Sequence, residues 1–162
     1  MLTRSLPMGV SWEECKQDFA SDGGLRDVQV IDATLDDWEQ VLDFIRSGAA
    51  KLDFTIDGKP ASLPSEAAEI IASRATASPT LLFRWGDIDL ATHFFGANDL
   101  EFDFRPEHVH SQTQLDHLLS FTARLGRLLG KTILVYHEGW EMSPFLVFDA
   151  QTDATTYSPQ SI

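Results

Sequence analysis

The chain reads as a single α+β domain, a mostly antiparallel mixed sheet with helices packed on one face. Three observations predict this. Helical and strand periods follow one another in the order α β α β α β β β α β β, which lacks the regular alternation that builds a doubly wound parallel sheet. Residues 80 to 104 hold three short alternating runs in succession, as in a meander. Residues 111 to 136 hold one amphipathic helix followed directly by an apolar strand. The chain has 162 residues, 43% of them hydrophobic, with eleven Phe and four Trp, enough to fill one core.

The elements follow in order. Residues 1 to 10 show no sustained period and are expected as an irregular arm, with the domain spanning 11 to 149. Ser11 and Glu14 form a capping box, and Trp12, Cys15 and Phe19 share one face of a short helix that breaks at Asp22-Gly23-Gly24. Val28, Val30 and Ile31 mark a strand over 27 to 31. Asp32 or Thr34 caps a helix whose stripe is Leu35, Trp38, Val41, Leu42 and Ile45, ending at Gly48. Leu52, Phe54 and Ile56 alternate with Asp53, Thr55 and Asp57 before the turn Gly58-Lys59-Pro60. Residues 65 to 74 read as a helix with Ala67, Ile70 and Ile71 inward.

Thr80 to Trp85 reads as a strand, and Gly86-Asp87 suits a type II′ hairpin. Ile88 to Phe94 is the second strand of the meander. After a turn at 96 to 99, Leu100, Phe102 and Phe104 alternate with Glu101 and Asp103. A capping box at Ser111 and Gln114 opens the longest helix, 112 to 129, whose stripe of Leu115, Leu118, Leu119, Thr122, Leu125 and Leu129 stops at Gly130. Thr132 to Tyr136 and Phe145 to Phe148 are the last strands, joined by a loop. Residues 150 to 162 have little to bury and are expected as a loose tail.

Charge narrows the function classes. Twenty-five acidic residues against twelve basic ones give a net charge of −13 at pH 7. Such a surface repels phosphate backbones and anionic lipid, so neither nucleic acid nor membrane is the expected partner. No apolar run is long enough for a membrane span, and the start is too short in apolar residues for a secretion signal. One cysteine, Cys15, rules out an internal disulfide; with these features it predicts a cytoplasmic protein.

Chemistry-bearing motifs are sparse. The sequence has no nucleophile elbow, Cys-x-x-Cys pair, zinc-protease helix motif or Walker loop. His108, His110 and His117 are dense in sequence, but His117 lies about 10 Å along the helix axis from His110. That separation is too great for one metal ion, so no metal and no cofactor are expected. Cys15 lies between acidic neighbours on an apolar face and is expected to be inert. Two candidate sites remain. Asp53, Asp87, Asp89, Glu101 and Asp103, with Asp57, fall on the polar phase of strands or their turns, although Asp and Glu are poor strand formers. Together they suggest a carboxylate face that docks a basic protein. The second candidate is the loop holding His137, Glu138, Trp140 and Glu141, with His93 or His108 as possible contributors.

The first expectation is therefore a non-enzymatic acidic binding module, of the class of small bacterial immunity proteins or antitoxins that occlude a basic toxin. The alternatives are a small cytoplasmic enzyme built around the 137 to 141 loop, and a homo-oligomeric subunit, such as a homodimer, whose Phe-rich strands form an interface.

Overall fold

The computed structural model of the protein describes residues 9–159. In chain order these form α1 (Trp12–Cys15), extended by a 3-10 turn over Lys16–Phe19, then β1 (Arg26–Val30), α2 (Leu35–Gly48), β2 (Ala50–Ile56) and β3 (Lys59–Pro60). They continue with α3 (Ala67–Ser73), β4 (Pro79–Trp85), β5 (Ile88–Thr92), β6 (Glu101–Phe104), a 3-10 turn at Pro106–His108, α4 (Gln112–Leu129), β7 (Ile133–His137), β8 (Leu146–Asp149) and β9 (Ala154–Tyr157). The strands join one antiparallel sheet in the order β3-β2-β4-β5-β6-β1-β7-β8-β9. This is the expected α+β class. The expected meander β4-β5-β6 forms, and β1 inserts between β6 and β7.

Turn chemistry sets the hairpins. Asp57 and Gly58 both take positive φ, 51° and 79°, the pair of signs a type I′ turn needs, so β2 folds back into the two-residue edge strand β3. Gly86 takes φ 58°, the sign required at the first central residue of a type II′ turn, and Arg84 pairs with Asp89 across that hairpin.

The core lies between the helices and one face of the sheet. Period-2 alternation puts Val28, Val30, Phe83, Phe102, Phe104, Ile133 and Val135 on that face, where they meet Leu115, Leu118, Leu119, Phe121 and Leu125 of α4, all buried. Phe121 is the hub, with ring centroids 5.4 Å from Phe102, 5.4 Å from Trp85 and 6.0 Å from Phe83. Trp38 of α2 stacks on Phe94 at 5.0 Å, and its indole N–H donates to the Gly96 carbonyl at 2.9 Å. Gly126 lets α4 lie against β8: a Cβ there would stand 2.3 Å from the Phe148 ring.

Three local expectations are corrected, the Ser111 cap, the inward Leu52 and the loose tail. The capping box at Ser111 does not form; the Ser111 hydroxyl donates to Gln114 Oε1 at 2.5 Å, and Gln114 Nε2 donates to Asp87 instead of the helix end. By contrast, Ser11 with Glu14 and Thr34 with Asp37 make complete boxes. Leu52 is exposed, because a bulge between Ala50 and Asp53, with Lys51 at φ 54°, disrupts the alternation ahead of Phe54. Of the expected arm, residues 1 to 8 lie outside the described residues, while Val10 is buried. Residues 150 to 162, expected as a loose tail, contain β9, which pairs with β8 from Asp149↔Ala154 to Leu146↔Tyr157. Among the described residues no helix is long and apolar enough to cross a membrane.

Candidate functional site

Strand pairing places like charges side by side on the sheet face opposite the helices. One row crosses six strands: Asp53 pairs with Leu82, Leu82 with Ala91, Ala91 with Asp103, Asp103 with Asp27, and Asp27 with Tyr136. Glu101 lies in the neighbouring row, opposite Gln29. Much of this face is open. Asp53 and Leu82 are exposed, and Asp27, Gln29, Arg84, Asp89, Glu101 and Asp103 are half-buried.

The carboxylates differ in how far their charge is met. Asp89 takes a two-pronged contact from Arg84, at 2.7 and 3.1 Å, which holds its carboxyl below the usual range. Asp103 meets His93 Nε2 at 3.0 Å, and that bond raises the histidine pKa against the opposing effect of burial. Asp87 leaves the row: it sits in the β4–β5 turn against α4, accepting from Gln114 at 3.3 Å, while its backbone N–H donates to His117 Nδ1 at 3.4 Å. Asp27 has no Lys, Arg or His within ion-pair distance among the described residues, and neither does Glu101. Burial, then Glu101, Asp103, Glu138 and Glu141, push the Asp27 carboxyl up to about 7. Burial, then Asp99 and Asp103, raise Glu101 as well. The Tyr136 hydroxyl donates to Gln29 at 3.1 Å, and burial followed by Asp27 raises its pKa.

Glu138 and Glu141 belong to the loop between β7 and β8, so the two sequence candidates share one negative field. The structure brings Glu101 and Asp103 into one field with that loop, while Asp53 lies at the far end of the row on β2, Asp89 is largely neutralised and Asp87 is displaced. Asp27, central to the cluster, is missing from the sequence reading.

The other end of the same loop closes a cavity of about 450 Å³, lined by Asp18, Asp22, Arg26, His137, Glu138 and Trp140 among others. His137 is the last residue of β7, not a loop residue, and pairs with Arg26 across β1. Its Nε2 donates to the buried Asp18 carboxylate at 2.9 Å, and Tyr157 of β9 donates to the other Asp18 oxygen at 2.5 Å. That second bond, after burial, raises the tyrosine pKa. Arg26 is 1% exposed and spends its guanidinium on the Asp18, Ala20 and Leu25 carbonyls and on Asp22. The arginine contact, with the Gly24 N–H, lowers the Asp22 pKa. Glu138 Oε1 accepts from the Leu25 N–H at 3.1 Å.

Sequence reasoning missed Asp18, Asp22, Arg26 and Tyr157. A signal existed for Asp18, which shares the apolar face of Cys15 and Phe19 and so had to be buried with a partner. Cys15 itself is buried, and burial followed by Glu14 and Asp18 pushes its thiol up to about 12, far from a reactive thiolate. His108 Nδ1 accepts from the Asp89 N–H at 3.3 Å, and His110 is exposed. Among the described residues no three His, Cys, Asp or Glu side chains are grouped to hold a metal ion. No family model, curated protein or solved structure matches this chain.

Proposed function

We propose that the protein is a non-enzymatic binding module whose open sheet face docks a basic protein, in the manner of a small immunity protein or antitoxin that covers a toxin's cationic surface. One observation carries this reading. Asp27 and Asp103 stand directly opposite each other in an antiparallel pair, with Glu101 beside them and, among the described residues, no Lys or Arg to offset Asp27. Like charges placed this way destabilise a sheet. A cationic partner removes that cost on binding, and the field steers its approach. Exposed apolar groups border the face, Met142 at 91% and Trp140 at 45% exposure, and supply the area that charge alone does not.

The test is kinetic, on a basic protein that copurifies with the chain. Asp53→Lys with Glu101→Lys slows association several-fold, raising the salt slows the parent protein likewise, and Asp89→Asn has less effect because Arg84 already meets that charge. Bound cations also draw the proton off Asp27, so affinity rises as pH climbs through about 7. An association rate indifferent to both salt and the reversals refutes docking through this face.

A further inference from the structure

We infer that the cavity between the 3-10 turn, β1 and the β7–β8 loop is an anchor site for a cationic side chain of the partner, a guanidinium or a primary ammonium. The inference rests on the docking reading above and adds the chemistry of a single pocket. It follows from counting donors and acceptors around the cavity wall.

The donors are spent inward. Arg26 directs Nε to the Asp18 carbonyl, Nη1 to Leu25 O and Asp22, and Nη2 to Ala20 O and Asp22, which leaves no N–H for an anion. The Gln17 amide donates to the Glu14 carbonyl and the Tyr157 hydroxyl. Tyr157 donates to Asp18, and so does His137 Nε2. The Gly24 and Leu25 N–H groups go to Asp22 and Glu138. Among the described residues only the Trp140 indole N–H remains as a side-chain donor on the wall.

Acceptors are left over. Glu138 keeps its second carboxylate oxygen, Asp22 and Asp18 keep lone pairs, and His137 Nδ1 lies 4.0 Å from Asp22 Oδ2. Three carboxylates on the wall, Asp18, Asp22 and Glu138, outnumber its one guanidinium, Arg26. Among the described residues an anion finds one free side-chain donor there, the Trp140 indole N–H, and an apolar group leaves the carboxylates unmatched. Trp140, whose ring centroid is 6.4 Å from that of His137, supplies the aromatic face on which a guanidinium or ammonium is favoured. The cavity also opens beside the acidic face. Leu25 lines both it and the shallow groove that holds Asp103, Ala91 and Leu82. A partner steered onto the carboxylates thus brings its basic side chains within reach of this pocket.

The probe is N-acetyl-arginine amide, titrated into the full chain and followed by the His137 ring and Trp140 indole NMR signals. N-acetyl-citrulline amide, its uncharged isostere, is the control. Arginine shifts both signals saturably and citrulline does not, and Glu138→Gln or Trp140→Ala weakens the arginine probe several-fold. With the partner, Trp140→Ala raises the dissociation rate about tenfold and leaves the association rate unchanged. Equal effects of citrulline, shifts spread evenly over Glu101 and the open face, or silence at His137 and Trp140 overturn the anchor site. If the arginine probe fails while partner association still obeys salt and the Asp53 and Glu101 reversals, the pocket alone is wrong. If the probe binds and association ignores the reversals, the docking face is wrong.

Discussion

Asp27 stands between Asp103 and Tyr136 on the open face, and its environment favours the protonated form. A carboxyl whose pKa is higher folded than unfolded takes up a proton on folding. Its cost is therefore full above about 7 and fades as pH falls toward the ordinary carboxylate range. Asp27→Asn removes that cost. The variant is more stable than the parent at pH 8 by about 1–2 kcal/mol, a figure discounted because the side chain is only half-buried and water screens it. The gain vanishes near pH 4. Denaturant melts at the two pH values check this, and an equal gain at both defeats the assignment. Residue-level legibility was uneven for a physical reason. The acidic phase of β6 was visible because Phe102 and Phe104 frame it, whereas Arg26 occupies the buried phase of β1 and becomes intelligible only once Asp22 and three carbonyls surround it.

At the scale of elements, the long periodic helices were readable because their stripes are wide and their ends chemically marked. Gly130 closes α4 at φ 66°, and Thr34 with Asp37 opens α2. β9 was not readable. Ala154 to Tyr157 carries only a faint alternation, and its order comes from pairing with β8 and from the Tyr157 bond to Asp18, partners remote in sequence. The seating of α4 on β8 depends on Gly126. Alanine is the better helix former there, by about 1 kcal/mol. Its Cβ nonetheless meets Phe148 at 2.3 Å and the Lys131 carbonyl at 3.1 Å. Gly126→Ala is accordingly destabilising on balance, by about 1–3 kcal/mol. A stabilised variant in thermal melts shows that α4 can shift away from β8.

For the molecule as a whole, class and meander were legible, because local patterns decide them. The site was half legible: the carboxylates advertise themselves, but their meeting with the β7–β8 loop depends on strand order, which local pattern does not encode. That order bears on how the chain acquires its structure. β1 lies near the middle of the sheet, yet its two neighbours are β6 and β7, so Val28 waits for Phe102 on one side and Val135 on the other. Long loops must close before either pairing rewards the chain, a topology that slows folding and makes it all-or-none. A fragment ending at Leu100 keeps β2 to β5 but denies β1 both partners. It is expected to show no protected amides in β1 by hydrogen exchange, where the full chain protects Val28 to the limit of global unfolding. A nascent chain in that state exposes Val28 and Val30 as an unpaired apolar strand, and holding such a strand soluble until β6 and β7 emerge is work for a chaperone.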